Sequence, residues 1–515
     1  MNGKKLICSV LSCVLAVASL AGCGANKKTS GEDGNLTYWM SIGTNAASIV
    51  SNYGETKFAK ELEKRTGVSV EYLHPAVGQE SEAFNLLVAS DTLPDIIEYN
   101  WLSAMGGPNN SLSEGIIIEL NDVFEKYCPN LMKYLKEHPE IDKQIKTDDG
   151  KYYVFPFVKG GDELLLSAGP VIRKDWLDEL GLEAPRTVDE WETVLRAFKE
   201  KKGVAAPLTF TKDEKSYMFA MMGTQYYSCY VDNGKIKYGP YEPEFKTALE
   251  TLARWYKEGL LDNNYLVNDN TTREANMLNG RSGATVASGG SGLGKWLQSM
   301  PADEFILRGI PYPNEDNIEY NRFIPVSNRY VPYGAAISVD CKDVEKAARF
   351  LDYAYSEEGH MLFNFGIEGE SYEMVDGVPT YTEYILNNKD GLTVSQAMAD
   401  YNRANYQGAF IQDVDYIRGY YSMDEQKEAL SNWVSNVNFE KSAILPHLSY
   451  TKEETETNAD IASEISKYVD QMTAEFISGQ RSFDTYDEYL ANLEKLGVKK
   501  MVSIRQAAYD RYLKK

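Results

Sequence analysis

Residues 57–72, KFAKELEKRTGVSVEY, decide the fold. Phe58 and Leu62 fall on one face of a helix, Gly67 stops it, and Val68, Val70 and Tyr72 then alternate as a strand. Upstream, Leu36-Thr37-Tyr38-Trp39-Met40 is a β-type run. Strand, helix, strand opens a βαβ unit, and a parallel sheet covered by helices follows from it. A further helix through Phe84 to Ala89 leads into DTLPDIIEYNW, residues 91–101. There Ile96 and Ile97 read as a buried strand whose end carries Tyr99, Asn100 and Trp101. In such sheets ligands bind at the carboxyl ends of the strands.

The same grammar continues downstream. GKYYVFPF (150–157) reads as a strand leaving this lobe, and KGGDELLLSAGPVIRKDWLDELGL (159–182) as a crossing into another. Asp175 to Leu180 is a short helix ended by Gly181, and Thr187 with Glu190 forms a capping box for a helix through Trp191, Leu195 and Phe198. Another helix, with Phe245, Leu249, Leu252 and Tyr256, stops at Gly259. Residues 334–363 read as a strand followed by a helix through Val344, Ala347, Ala348 and Leu351. From about Thr451 the chain is mostly helical, with Ile461, Ile465, Tyr468 and Met472 on one stripe. At 515 residues the chain exceeds what one core serves, so two α/β lobes are expected.

The N-terminus carries an address. Lys4 and Lys5 precede an apolar run from Leu6 to Leu20, and the small residues Ala21 and Gly22 precede Cys23, which is the anatomy of an export signal over 1–22. The run is shorter than the ~20 residues that span a bilayer. Residues 24–35, rich in Gly, Ser, Lys and Asp, read as a flexible tether.

Composition narrows the partners. Without residues 1–22 there are 51 basic against 76 acidic residues, a formal charge of -25 that disfavours nucleic acid and anionic lipid surfaces. Cys8 and Cys13 lie within the signal; Cys128, Cys229 and Cys341 have no CxxC spacing and read as buried thiols. The 36 tyrosines and 7 tryptophans exceed ordinary need, and aromatic rings stack on the C–H faces of sugars. Catalytic motifs are incomplete. SGGSGLGKW (288–296) has the GxxxxGK of a phosphate loop, but Trp296 stands where a hydroxyl would hold magnesium. Gly289-Gly290-Ser291-Gly292-Leu293 lacks the last glycine of a serine-hydrolase elbow. The four histidines, His74, His138, His360 and His447, show no metal-ligand spacing. With 76 carboxylates no glycosidase pair can be singled out. What the glycine run does offer is geometric: a strand GATVAS followed by a turn at Ser288 to Gly292 would expose backbone N–H groups suited to hydroxyls.

Together, Leu20-Ala21-Gly22-Cys23, KFAKELEKRTGVSVEY, LVASDTLPDII, IRKDWLDELGLEAPRTVDEW, NFGIEGESYE with DGVPTYT, and SIRQAAYDRYL resemble the extracellular solute-binding lipoproteins of carbohydrate ABC transporters, of the LipO and alginate-binding type. The resemblance runs from about Leu36 to Leu513 and implies a two-lobe, periplasmic-binding-protein-like α/β fold of type II, with a three-segment hinge and a helical C-terminal extension. Cys23 would be the lipidated residue, and 23–35 lipidated cysteine and tether. The expected N-terminal lobe is 36–158 plus 311–370, the C-terminal lobe 159–310 plus 371–515, with crossings near Val158–Leu166, Leu307–Pro311 and Gly366–Met374. Carried over onto this chain, the ligand would meet Trp39, Ser41, Tyr99, Trp101, Tyr217, Ser288, Gly289, Tyr333 and Tyr372. Many relatives carry a DxDxNGxxD calcium loop where this chain has Lys201, Lys202, Gly203 and Val204, which cannot supply a carboxylate cage, so no metal and no cofactor are expected.

The function implied is that of a non-enzymatic, monomeric receptor at the outer face of the bacterial cytoplasmic membrane. It would be held there by its lipid alone, capture an oligosaccharide by lobe closure and deliver it to the permease subunits of an ABC importer. A receptor signalling to a membrane kinase is a variant of this. The alternatives are a surface-tethered glycan hydrolase or lyase, or a binder of a peptide or other small polar solute.

Overall fold

The computed structural model describes residues 34–301, 304–314, 320–439 and 442–515, so the export signal, Cys23 and the tether through Asp33 lie outside the described residues. The opening βαβ unit forms as read. The Thr56 hydroxyl accepts the Ala59 N–H at the start of helix Lys57–Thr66, Gly67 ends it at φ 67°, and Phe58, Ala59 and Leu62 are its buried face. This helix connects strands Leu36–Trp39 and Val70–Leu73, which pair in parallel, and Ile96–Tyr99 adds in parallel on the other side.

The sheet then departs from all-parallel. Strand Tyr330–Ile337 inserts between Ile96–Tyr99 and Phe155–Lys159, antiparallel to both, with an irregularity between Val331 and Gly334. Gly334 is required there, since a Cβ would stand 2.2 Å from the Phe155 carbonyl oxygen. Ile411–Gln412 completes the six-stranded sheet along Phe155–Lys159. The second sheet is antiparallel, with Ala168–Arg173 between Ala284–Ser288 and Leu307–Gly309.

Two large cores result. The first gathers Phe58, Trp101, Phe155, Tyr330, Phe363 and Phe410; the second gathers Trp191, Phe245, Trp255, Trp296, Trp433 and Phe476. A small third cluster around Phe365, Tyr372, Tyr381 and Tyr401 sits between helices and a hairpin, strands Tyr372–Val375 and Val378–Tyr381. The C-terminal extension is helical. Thr451 and Glu454 form a capping box on helix Lys452–Ile477, whose Ile465, Val469, Met472 and Phe476 enter the second core.

Core membership relocates two of the three expected crossings. The first passage runs between Val158 in the first core and Leu165 in the second. The second lies between Val326 and Tyr330 and not at Leu307–Pro311, because Leu307–Gly309 is a strand of the second sheet and Tyr312 and Ile324 belong to its core. Gly366–Met374 does not cross either: it folds into the third cluster, and the chain then returns to the first core with Ala399, Ala409 and Phe410. It leaves for the second core between Phe410 and Ala429. Thus Tyr312, Ile324 and Val326 pack with the second core, and Ala399, Ala409 and Phe410 with the first.

Cys128, Cys229 and Cys341 are free and buried, and burial pushes the Cys341 thiol up to about 12. Among the described residues no helix is long and apolar enough to cross a membrane.

Candidate ligand-binding cleft

Three cavities of about 340, 210 and 630 Å³ concern the site; the first is lined from the first core, and the third takes Ile324 and Val326 from the second core and Tyr330 from the first. The first is built on strand ends. Trp39 and Ser41 come from the end of the first strand, Tyr99 from the end of the third, and Tyr333 from the inserted antiparallel strand. Phe84 stacks on Tyr99 with centroids 3.7 Å apart, and Trp39 tilts against the same ring at 6.3 Å, so the aromatic wall is rigid. Ser41 bonds Glu80 at 3.4 Å, and the Gly78 N–H donating to the Glu80 carboxylate holds its pKa below the usual range. Burial, followed by the charge of Glu98, raises the Tyr333 phenol, which therefore remains a neutral donor and acceptor.

The floor of this cavity is charged. Glu98 and Arg403, with side chains 1% and 6% exposed, form a two-pronged pair at 2.8 and 3.1 Å, and the Tyr38 hydroxyl donates to Glu98 at 2.7 Å. Burial works against the charge of Arg403, but the facing carboxylate more than offsets it and keeps the guanidinium charged.

Asn405, Tyr406 and Gln407 line both the first and second cavities, which makes the two adjoining halves of one groove. The second half adds Lys159, Glu163, Ser167, Gln412, Tyr416 and Tyr421. Burial lowers the pKa of Lys159, whose ammonium donates to Ser327 at 2.9 Å; Arg418 pairs with Glu163 through two bonds of 2.9 Å. Ser327 in turn lines the third cavity, beside Gln225, Tyr227, Asn328, Tyr330, His447 and Arg505. The arrangement is what an extended polar ligand needs: aromatic faces, amides, hydroxyls and few unpaired charges, drawn from both cores.

A family model for bacterial extracellular solute-binding proteins matches residues 46–361, more than half of the chain. The chain belongs to that family. The solute-binding protein is 25% identical, over 99% of both chains, to the fructooligosaccharide ABC transporter substrate-binding protein FusA of Streptococcus pneumoniae serotype 4. Its structure resembles that of the alginate-binding protein AlgQ2 without calcium ion, at a TM-score of 0.68 and 26% identity, covering 89% of this chain and 94% of that one. It also resembles an HMO-binding, ABC-transporter-associated solute-binding protein of Bifidobacterium longum infantis, at a TM-score of 0.75 and 19% identity over 93% and 99% of the two chains, which bears on the fold alone. The solute-binding protein therefore has the two-lobe, periplasmic-binding-protein-like fold, and its family is one of binding proteins.

Of the residues expected at the ligand, Trp39, Ser41, Tyr99 and Tyr333 are brought together in the first cavity. Gly289 stands behind the second: a Cβ there would lie 2.5 Å from the Tyr421 hydroxyl. Its N–H is bonded to the Ser167 carbonyl and is not free for a ligand, and the Ser288 and Ser291 hydroxyls bond each other at 2.7 Å. Three of the aromatics line none of the three cavities. Trp101 is fully buried, its indole donating to the Gly334 carbonyl at 3.2 Å, in the turn that follows Asn100. Tyr372 is buried against Phe365 in the third cluster. Tyr217 packs half-buried on the second core and lines none of the three cavities, although its neighbour Ser216 lines the third. Lys295, the lysine of the phosphate-loop look-alike, pairs with Glu274 at 2.7 Å, and Trp296 is core. At the site of the relatives' calcium loop, Lys202 pairs with Glu179 and Val204 is buried.

Sequence reasoning missed Glu98, Arg403, Asn405, Tyr406, Gln407 and Lys159. One signal was available: a glutamate inside the apolar strand IIEY demands a buried partner.

Proposed function

We propose that this solute-binding protein is a receptor, lipid-anchored through Cys23 at the outer face of the bacterial cytoplasmic membrane, that captures a neutral oligosaccharide and presents it to the permease of an ABC importer. The observation that carries this is the groove shared by the first two cavities, where Trp39, Tyr99, Tyr333 and Tyr406 stand beside amides and hydroxyls. The names of FusA and AlgQ2 support a saccharide ligand but not one sugar, since fructans and alginate differ in charge. Charge favours the neutral class. The groove carries Glu80, Glu98 and Glu163 against Lys159 and Arg403, so it does not reverse the acidic character of the chain.

Thermal unfolding of the mature chain with kestose, lacto-N-tetraose and an alginate trisaccharide decides between them. A sugar at 100 times its Kd should stabilise by ~2.7 kcal/mol. The expected result is a shift with a neutral sugar and none with the alginate trisaccharide; the reverse pattern would overturn the charge argument. A shift abolished by a chelator would overturn the expectation that no calcium is bound.

Capture by closure has its own signature. The second half of the groove is lined by Phe157 of the first core and by Ser167 and Leu430, which adjoin Leu166, Ala168 and Ala429 of the second core, so an approach of the two lobes brings both sets of groups onto one sugar, and differential affinity moves that equilibrium. Small-angle scattering should show a smaller radius of gyration with the bound sugar. An unchanged radius together with cleaved sugar in the mixture would promote a hydrolase or lyase instead.

The address is tested separately. Two acyl chains on the cysteine suffice to hold the protein at a bilayer. Cys23→Ala should move it from the membrane to the soluble fraction with its sugar affinity unaltered; membrane partition that survives a salt wash would argue against the lipid anchor.

A further inference from the structure

Glu98 lies in a strand in which every residue is buried, yet its partner arrives from the segment that returns from the third cluster. Arg403 is held there from several sides. Its backbone N–H donates to the Phe363 carbonyl at 2.8 Å, its guanidinium to Glu98 and, at 2.8 Å, to the Gln407 carbonyl. A Cβ on Gly408 would lie 2.8 Å from the guanidinium carbon, so glycine is what lets the loop close over the charge. Gln412 donates to the Ala404 carbonyl at 2.6 Å, and the Tyr406 hydroxyl accepts the N–H groups of Asn45 and Ala46 at 3.0 and 3.3 Å.

The loop is thus clamped at its backbone while two of its side chains remain uncommitted. Among the described residues Gln407 is exposed and its amide bonds no protein group; the Asn405 amide reaches the Met398 sulfur at 3.5 Å and no oxygen or nitrogen. Both border the first and the second cavity. A buried ion pair is rarely more stabilising than apolar side chains of the same volume. Its presence under a loop with two free amides points to placement of that loop.

We infer that Ala404–Gly408 is the specificity loop of the cleft, in which the amides of Asn405 and Gln407 read hydroxyls of sugar units lying on either side of it. The Glu98–Arg403 pair is the positioning device that holds these amides in register. An amide offers a donor and an acceptor together, as each sugar hydroxyl does, whereas a sugar carboxylate would be brought toward Glu80 and Glu98. The inference rests on the receptor function proposed above and deepens it by naming what discriminates the ligand.

Calorimetry on the mature chain with kestose, lacto-N-tetraose and an alginate trisaccharide provides the test, with hydrogen exchange on residues 404–408. For the sugar that the unaltered protein binds, Asn405→Ala and Gln407→Ala should each raise Kd roughly five- to tenfold without moving the unfolding midpoint. Arg403→Lys keeps the charge but not the fork, so it should raise Kd similarly and speed exchange at 404–408. Combined with Gln407→Ala it should cost little more than the worse single change, because Arg403 acts by placing the amide that Gln407→Ala removes. Unchanged affinity in both alanine variants, or additive losses in the double variant, would overturn the loop assignment while leaving the receptor function standing. Should Arg403→Lys fail to fold, the two alanine variants decide. No binding of any of the three sugars by the unaltered protein would overturn both.

Discussion

Trp101→Ala is expected to lower the unfolding free energy by about 3–5 kcal/mol, as removal of a fully buried tryptophan does. Placed by sequence at a strand end, this ring would be a ligand contact whose loss weakens binding by about 1–3 kcal/mol and spares stability. The structure assigns it the opposite role. Its indole is buried without exposed surface, donates to the Gly334 carbonyl, and packs edge-on to Phe84 at 5.7 Å and Tyr99 at 6.4 Å. Alanine would leave a void beneath the two rings that support the first cavity, and an acceptor without its donor. Urea unfolding followed by circular dichroism should register the loss, and Trp101→Phe should restore part of it. An alanine variant that unfolds like the unaltered protein but binds sugar weakly would return Trp101 to the cleft.

Arg403→Ala should also cost about 3–5 kcal/mol, because it leaves Glu98 buried with a charge and only the Tyr38 hydroxyl to answer it. Removing both partners is a different experiment. Glu98→Leu with Arg403→Met replaces the pair by apolar volume, and the double variant should recover most of the lost stability. Sugar affinity should stay impaired in it, since the loop carbonyl of Gln407 would have lost its donor. Differential scanning calorimetry on the three variants separates the outcomes. If Arg403→Ala melts with the unaltered protein, the pair is not integral to the first lobe; if the double variant melts no higher than the single one, packing and not charge sets the cost.

Much of the local architecture was legible because it depends on residues within about four positions of each other. The capping box at Thr187 with Glu190 forms as read, and Gly67, Gly181 and Gly259 end their helices in the left-handed conformation. Each is an agreement between a backbone N–H or carbonyl and the nearest side chain able to satisfy it. The alternation of Val68, Val70 and Tyr72 likewise set which face of the second strand turns inward.

The cleft was only half legible. Tyr99 was marked locally as a strand end, and Trp39, Ser41 and Tyr333 came from the family resemblance; all four line the first cavity, whereas the direction taken by the chain after Asn100 is not marked locally, and Trp101 lines none of the three cavities. Likewise Leu307–Pro311 reads as a hinge in isolation; only its pairing with Ala168–Arg173 reveals a sheet strand.

The sequence by itself determined the helices and strands, their caps, the first βαβ unit and the family resemblance, all of which are written in short-range spacing. Only the tertiary structure decided that Arg403 answers Glu98 from 305 residues away, and that Asn405 to Gln407 form a wall common to two cavities. The physical reason is that a buried charge specifies that a partner must exist without specifying where in the chain it lies; that choice is made by packing of the whole core.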